Sequence, residues 1–233
     1  MRPTNPALRP AHGGDAAALA TLLAEQLHRQ RLGAWLVPDP AERRAALHSY
    51  TRLVVAHGLA HGQVDTTDDH AAVAIWHVRP AATSTAGNDD LPRLGAHQGR
   101  FALLHTYIET VHLDTPHHHL AHLAVRADRH GAAAGHALLA HHHRRTDEQG
   151  LPSYADVSTD RPRDGLLGRL GYLPRAPILL EPGGPVLWRM WRLPQVARNT
   201  HPDGAELPRR IRVHRAATPF RGAVLFTAAP RSP

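Results

Sequence analysis

The chain has no cysteine and no lysine. The first absence excludes disulfides, thiolate metal sites and cysteine nucleophiles. The second leaves arginine as the sole strong cation. With 21 histidines, 20 prolines and abundant alanine, it reads as the drift of a GC-rich coding sequence. No apolar run reaches the roughly 18 residues that a membrane span needs. Residues 1–15 also lack the apolar stretch of a secretory signal, so a cytoplasmic protein with no membrane association is expected. Net basic charge is scarce too. The formal charge is +7, but the segment after Pro194 carries seven arginines against Asp203 and Glu206 and so supplies +5 of it. The body is close to neutral, and no uniformly basic nucleic-acid face is required. What the chain does have is 42% hydrophobic residues over 233 positions, enough for one domain with a core and an appendage.

The first half predicts helices. Asp15 is placed to cap a helix carrying Leu19, Leu22, Leu23 and Leu27. Asp39-Pro40 opens a second, with Glu42 as capping-box partner, running towards Gly58. Gln63-Val64 and Ala71 to Val78 read as two strands around a polar turn from Thr66 to His70. Within the second, Ala72 to Trp76 is expected to be buried on both faces. Pro80 to Leu94 reads as a loop and Phe101 to His112 as a helix. The second half then alternates. Leu120 to Val125 is a strand, a helix follows Gly131 as far as Glu148, Tyr154 to Ser158 is a strand, and Arg163 to Leu170 is a short helix. Pro177 to Arg192 reads as a terminal strand pair. The domain is expected to cover residues 1–194. Residues 195–233 form an Arg/Pro-rich tail, disordered or carrying a small hairpin through Ile211–Val213 and Ala223–Phe226.

The informative stretch is Leu123 to Leu139, where a strand passes through a turn of small residues into a helix. Small residues let a ligand approach the backbone, and the first N–H groups of a helix lack intrahelical partners. Together with the helix dipole these donors suit an anion such as a pyrophosphate. A tight turn chosen only for packing has the same spacing, so spacing alone leaves both open.

This stretch resembles motif A of the GNAT acetyltransferases: Val125, Gly131, Gly135, Leu138 and Leu139 fall on its pattern. Ala127 replaces a proline, His130 an Arg/Gln and Ala133 a glycine. His70 to Trp76, Leu151 to Tyr154, Arg169 to Tyr172 and Gly184 to Met190 resemble further blocks of puromycin-N-acetyltransferase-type members, over about residues 6 to 194. The resemblance implies an α/β GNAT acyl-CoA acyltransferase fold, with a central mixed, mostly antiparallel sheet flanked by helices. It implies acetyl-CoA as co-substrate. The backbone of Leu123, Ala124 and Val125 would pair with the pantetheine arm. The amides of His130, Gly131, Ala132, Ala133, Ala134 and Gly135, with His136 beside them, would hold the pyrophosphate. Many members carry an Asn after the fifth strand and a general-acid Tyr seven residues later. Here Asp160 stands at the first position, where the resemblance implies a contact with the cofactor, and Leu167, which has no proton to give, stands at the second.

A base must still take the amine proton. Asp156 shares one strand face with Tyr154 and Ser158 and is the leading choice; a carboxylate held in a loop network is the alternative. Alternation places His118 and His122 on one face of the fourth strand and His119 on the other, and a histidine can accept a proton near neutrality. The site residues expected from the sequence are therefore Asp156, His122 and His119 for catalysis. Trp76, Glu109 and Tyr154 are expected to line the acceptor pocket, with Trp76 as plain core the alternative. No metal is expected: neighbours in His117–His119 and His141–His143 diverge on a strand or helix. The reading is an N-acetyltransferase acting on a small-molecule amine, as monomer or homodimer. The alternatives are a non-catalytic CoA-binding or regulatory protein, favoured by Leu167, and a polyanion adaptor using the tail.

Overall fold

The run Ala72–Trp76 is apolar at every position, and it sits at the centre of the sheet with no residue more than 1% exposed. The computed structural model describes residues 7–80, 97–110, 115–180 and 184–195. The Pro80 to Leu94 loop falls almost wholly, and the tail hairpin wholly, outside them. Eight strands form one sheet: β1 (Leu8–Pro10), β2 (Gln63–Thr67), β3 (Ala72–Arg79), β4 (His117–Val125), β5 (Ser153–Ser158), β6 (Leu173–Pro174), β7 (Ile178–Leu179) and β8 (Val186–Arg192). Their order is β1-β2-β3-β4-β5-β8-β6, with β7 also on β8, and only β4–β5 is parallel. Helices α1 (Ala16–Arg29), α2 (Arg31–Leu36), α3 (Pro40–His61) and α4 (Gln98–Thr110) cover one face. Helices α5 (Arg129–Glu148) and α6 (Leu166–Arg169) cover the other.

Local chemistry accounts for most boundaries. Asp39 caps α3, its carboxylate accepting from the Ala41 N–H at 2.9 Å, with Pro40 at the first helical position where a missing N–H costs nothing. Glu42 pairs instead with His97 at 2.9 Å. Asp15 does not cap α1. It is buried, held by both outer nitrogens of Arg9 at 2.8 Å and by His70 at 2.8 Å, which drives its carboxyl far below the usual range. Short elements without a hydrophobic period, β1 and α2, are not foreshadowed by the sequence pattern.

One irregularity matters for function. Ile75 pairs with His122 and Trp76 with Leu120, so Ala121 is an extra residue in β4. A bulge shifts the period-2 alternation by one. The expected pairing of His118 with His122 on one face is therefore wrong: His119 and His122 share the α1–α4 face. His118 points to α5, its Nδ1 3.0 Å from His142 Nε2 and its Nε2 3.0 Å from Gln149. The neighbours of His117–His119 go to separate partners, and among the described residues no three His, Asp or Glu gather as metal ligands. No described helix is long and apolar enough to cross a membrane.

Beneath β3, His142 stacks on Trp76 with ring centroids 3.7 Å apart, and His143 Nε2 lies 2.9 Å from the Tyr172 hydroxyl. Burial, the main cause, depresses these imidazoles to about 2 and about 4. The unfolded chain, with histidines near 6.5, then binds more protons than the fold at pH 5, so stability falls as pH drops below about 6.5. The loss grows until the folded values are reached. At pH 5 each ring costs about 2 kcal/mol. The urea midpoint should therefore fall steeply between pH 7.5 and 5; a flat profile would contradict neutral burial of these rings.

Candidate active site

Strands β4 and β5 are paired only from His118↔Ser153 to Leu120↔Ala155. Beyond that, Ala121–Val125 stay on β3 and Asp156–Ser158 stay on β8, so the facing edges part. A cavity of about 840 Å³ passes through this gap. On the α5–α6 face it is lined by Val157, Leu166 and Leu167, and on the other by residues of α1 to α4. The exposed edge of β4 has backbone groups that no strand pairs, and a buried polar group of this kind requires a partner. Gln26 of α1 supplies it. Its Nε2 donates to the Leu123 carbonyl at 2.9 Å and its Oε1 accepts from the Val125 N–H at 2.9 Å. A side-chain amide thus stands where an extended amide chain would run, which shows the edge has the donor–acceptor pattern such a chain needs. Ala124 between them is fully buried towards α1 and α3.

At the end of β4, Asp128 caps α5, its Oδ1 accepting from the Gly131 N–H at 2.6 Å. That bond, then Arg126 at 2.7 Å, holds the carboxyl below its ordinary value. Asp69 lies 3.0 Å from His130 and 3.4 Å from Arg126, so the mouth of the helix carries both signs of charge. The helix begins at Arg129, three residues before the expected start after Gly131, and this corrects the donor set. Ala132 N–H bonds to the Asp128 carbonyl, and the amides of Ala133, Ala134, Gly135 and His136 are engaged inside the helix. In the first turn the amides of Arg129 and His130 have no intrahelical partner, and the Gly131 N–H is taken by the cap. Ala132 to Gly135 contribute small size instead. A Cβ on Gly131 would lie 2.2 Å from the Arg126 carbonyl oxygen, and one on Gly135 2.5 Å from Val125 Cγ1. His136 is exposed on α5.

Asp156 reaches the cavity from β5 with its side chain 7% exposed. Tyr154 donates its hydroxyl to Oδ1 at 2.6 Å, and burial followed by this carboxylate pushes the phenol above its usual range. Oδ2 lies 3.6 Å from His119 Nε2, beyond a hydrogen bond, and has no hydrogen-bond partner among the described residues. His122 faces the same cavity, and burial depresses it to about 3. Tyr50 places its hydroxyl 3.2 Å from His105 Nε2 beside it. The structure therefore brings Asp156, His119, His122, Leu123 and Glu109 to one cavity. It removes three expected contacts. Trp76 packs against α5 on the opposite face, Tyr154 stands behind Asp156, and Asp160 is exposed at 3.8 Å from Arg31. Leu167 lines the cavity and is 8% exposed. Gln26, Tyr50, His105 and Arg79 were not expected; no local pattern marks them, since each meets the site through a partner distant in sequence.

No protein-family model matches the chain, and no curated protein matches it. Solved structures do resemble it. An acetyltransferase related to histone acetyltransferase HPA2, from Corynebacterium glutamicum, aligns with a TM-score of 0.60 at 22% identity, over 84% of this chain and 99% of that one. A polyamine N-acetyltransferase of Drosophila melanogaster gives 0.57 at 17%, over 80% and 99%. A GNAT-family acetyltransferase of Streptococcus agalactiae gives 0.50 at 12%, over 81% and 95%. The fold is that of the GNAT acetyltransferases.

Proposed function

We propose that the chain is an acyl-CoA-dependent N-acyltransferase that moves an acetyl group from acetyl-CoA to the amine of a small molecule. The observation that carries this reading is the cavity through the sheet. One mouth opens at an amide-binding strand edge, and at its centre stands a buried carboxylate with an oxygen awaiting a donor. The pantetheine arm would lie along β4, exchanging its amides for those of Gln26. The pyrophosphate would meet the outward amides of Arg129 and His130, with the helix dipole behind them.

In this arrangement the thioester carbonyl lies between the parted strands and the amine enters from the α1–α4 side. The amine nitrogen bonds to the carbonyl carbon and the C–S bond then breaks. The nitrogen's proton passes to Asp156 Oδ2 or His119, while Tyr154 fixes the carboxylate's orientation. Leu167 supplies no proton, so the sulfur leaves as thiolate, which is a fair leaving group near neutral pH. A second reading, a CoA-binding protein without turnover, is favoured by that same leucine.

Titration calorimetry with acetyl-CoA tests the first part. Wild type should bind in the micromolar range. Gln26→Ala should bind two- to tenfold more tightly, because one competing pair of neutral hydrogen bonds is gone. A folded protein that does not bind defeats the proposal, and weaker binding by Gln26→Ala would make Gln26 a ligand contact. Thiol release on adding an amine separates the enzyme from the binding protein.

A further inference from the structure

We infer that the acceptor is an apolar amine carrying a single positive charge, seated with its nitrogen at Asp156. This deepens the transferase reading and rests on it. On the acceptor side of the cavity Leu27, Leu32, Leu36, Val54, Leu104 and Ile108 form an apolar wall, with Gln30, Tyr50, His57 and His61 beside it. Such a wall suits a hydrocarbon or aromatic body and returns nothing to a hydrated polar one.

Charge narrows the class further. Among the described lining residues the carboxylates are Asp156 and Glu109, and the guanidinium is Arg79. Glu109 is held by Arg79 at 2.7 Å, so that pair adds no net charge. His57, His61, His77, His105, His119 and His122 also line the cavity, His119 at 3.6 Å from Asp156 Oδ2. Burial is the first cause that holds His77, His105 and His122 below their ordinary values, to about 4 for His77 and about 3 for His122, so these three are not cations at neutral pH. The carboxylate that no guanidinium meets is Asp156, 7% exposed, whose Oδ2 is buried and lacks a hydrogen-bond partner among the described residues. One ammonium satisfies that oxygen. A second ammonium on the same molecule would be desolvated against leucines with no carboxylate to meet it. An amino acid's carboxylate would face Asp156, and to pair with Arg79 it would have to compete with Glu109 for a guanidinium whose Nη2 is already engaged.

The chemistry balances with two proton transfers: the ammonium first gives one proton to Asp156 or His119, the neutral amine then forms the N–C bond, the C–S bond breaks and the thiolate departs, and the second proton leaves the nitrogen to the other of these groups or to solvent. The size of the cavity admits the pantetheine end and a body of about one aromatic ring with a short chain.

The test compares kcat/KM for thiol release from acetyl-CoA with 2-phenylethylamine, n-hexylamine, putrescine and phenylalanine. The first two should exceed the last two by at least a hundredfold. Arg79→Gln, which leaves Glu109 without its guanidinium, should raise putrescine use at least tenfold relative to 2-phenylethylamine. Equal or better use of putrescine or phenylalanine by wild type overturns the inference. If no amine releases thiol, the transferase reading fails by itself. Calorimetric binding of 2-phenylethylamine against putrescine then decides the pocket, and preference for putrescine, or binding of neither, overturns the inference.

Discussion

Asp156→Asn is expected to lower kcat for amine acetylation by two to four orders of magnitude, the usual contribution of a positioned general base. The substitution is nearly isosteric. Its amide oxygen can still accept the Tyr154 hydroxyl that now sits 2.6 Å from Oδ1, so the strand and its cross-strand bonds should stand. What is lost is the proton-accepting oxygen that faces the cavity. Acetyl-CoA affinity should not change, because its proposed contacts lie on β4 and at the start of α5. Tyr154→Phe should cost less, about tenfold, since it frees the carboxylate without removing it. A kcat for Asp156→Asn within about threefold of wild type would move the base elsewhere, with His119 at 3.6 Å the next group to replace.

Gly131→Ala is the second large effect, and it falls on binding. The added methyl carbon would lie 2.2 Å from the Arg126 carbonyl oxygen and 2.7 Å from its nitrogen, both backbone atoms that cannot rotate away. The turn from β4 into α5 must open. The outward amides of Arg129 and His130 then lose their aim, and so does the bond from Gly131 N–H to Asp128. Acetyl-CoA affinity should fall at least thirtyfold by calorimetry. The stability cost should be of the overpacking kind, about 1–3 kcal/mol, so the protein remains folded for the measurement. Unchanged affinity in a folded variant would show that the helix mouth does not hold the pyrophosphate.

How much of this was legible in the sequence depends on the range of each interaction. Asp39-Pro40, the double-faced burial of Ala72–Trp76 and the antiparallel pair at Ile178 and Leu187 were readable, because caps and burial periods act over a few residues. The strand–turn–helix at Val125 to Leu139 was readable as a pattern. Its donor set was not, because the capping carboxylate of Asp128 starts the helix three residues early and draws the following amides into it. Trp76 was placed on the correct strand, and the choice between pocket and core was settled only by the stack on His142.

The sequence by itself determined the order of the longer strands and helices, the small-residue turn and the absence of thiol chemistry, since these depend on local propensity and on which residue types exist. The tertiary structure alone decided which groups meet. One extra residue at Ala121 put His119 and His122 on the same face, and alternation cannot foresee a bulge that long-range pairing imposes. Gln26 found the edge of β4 across 97 residues of chain because parted strands leave backbone groups that must be satisfied, and only packing chooses the side chain that satisfies them.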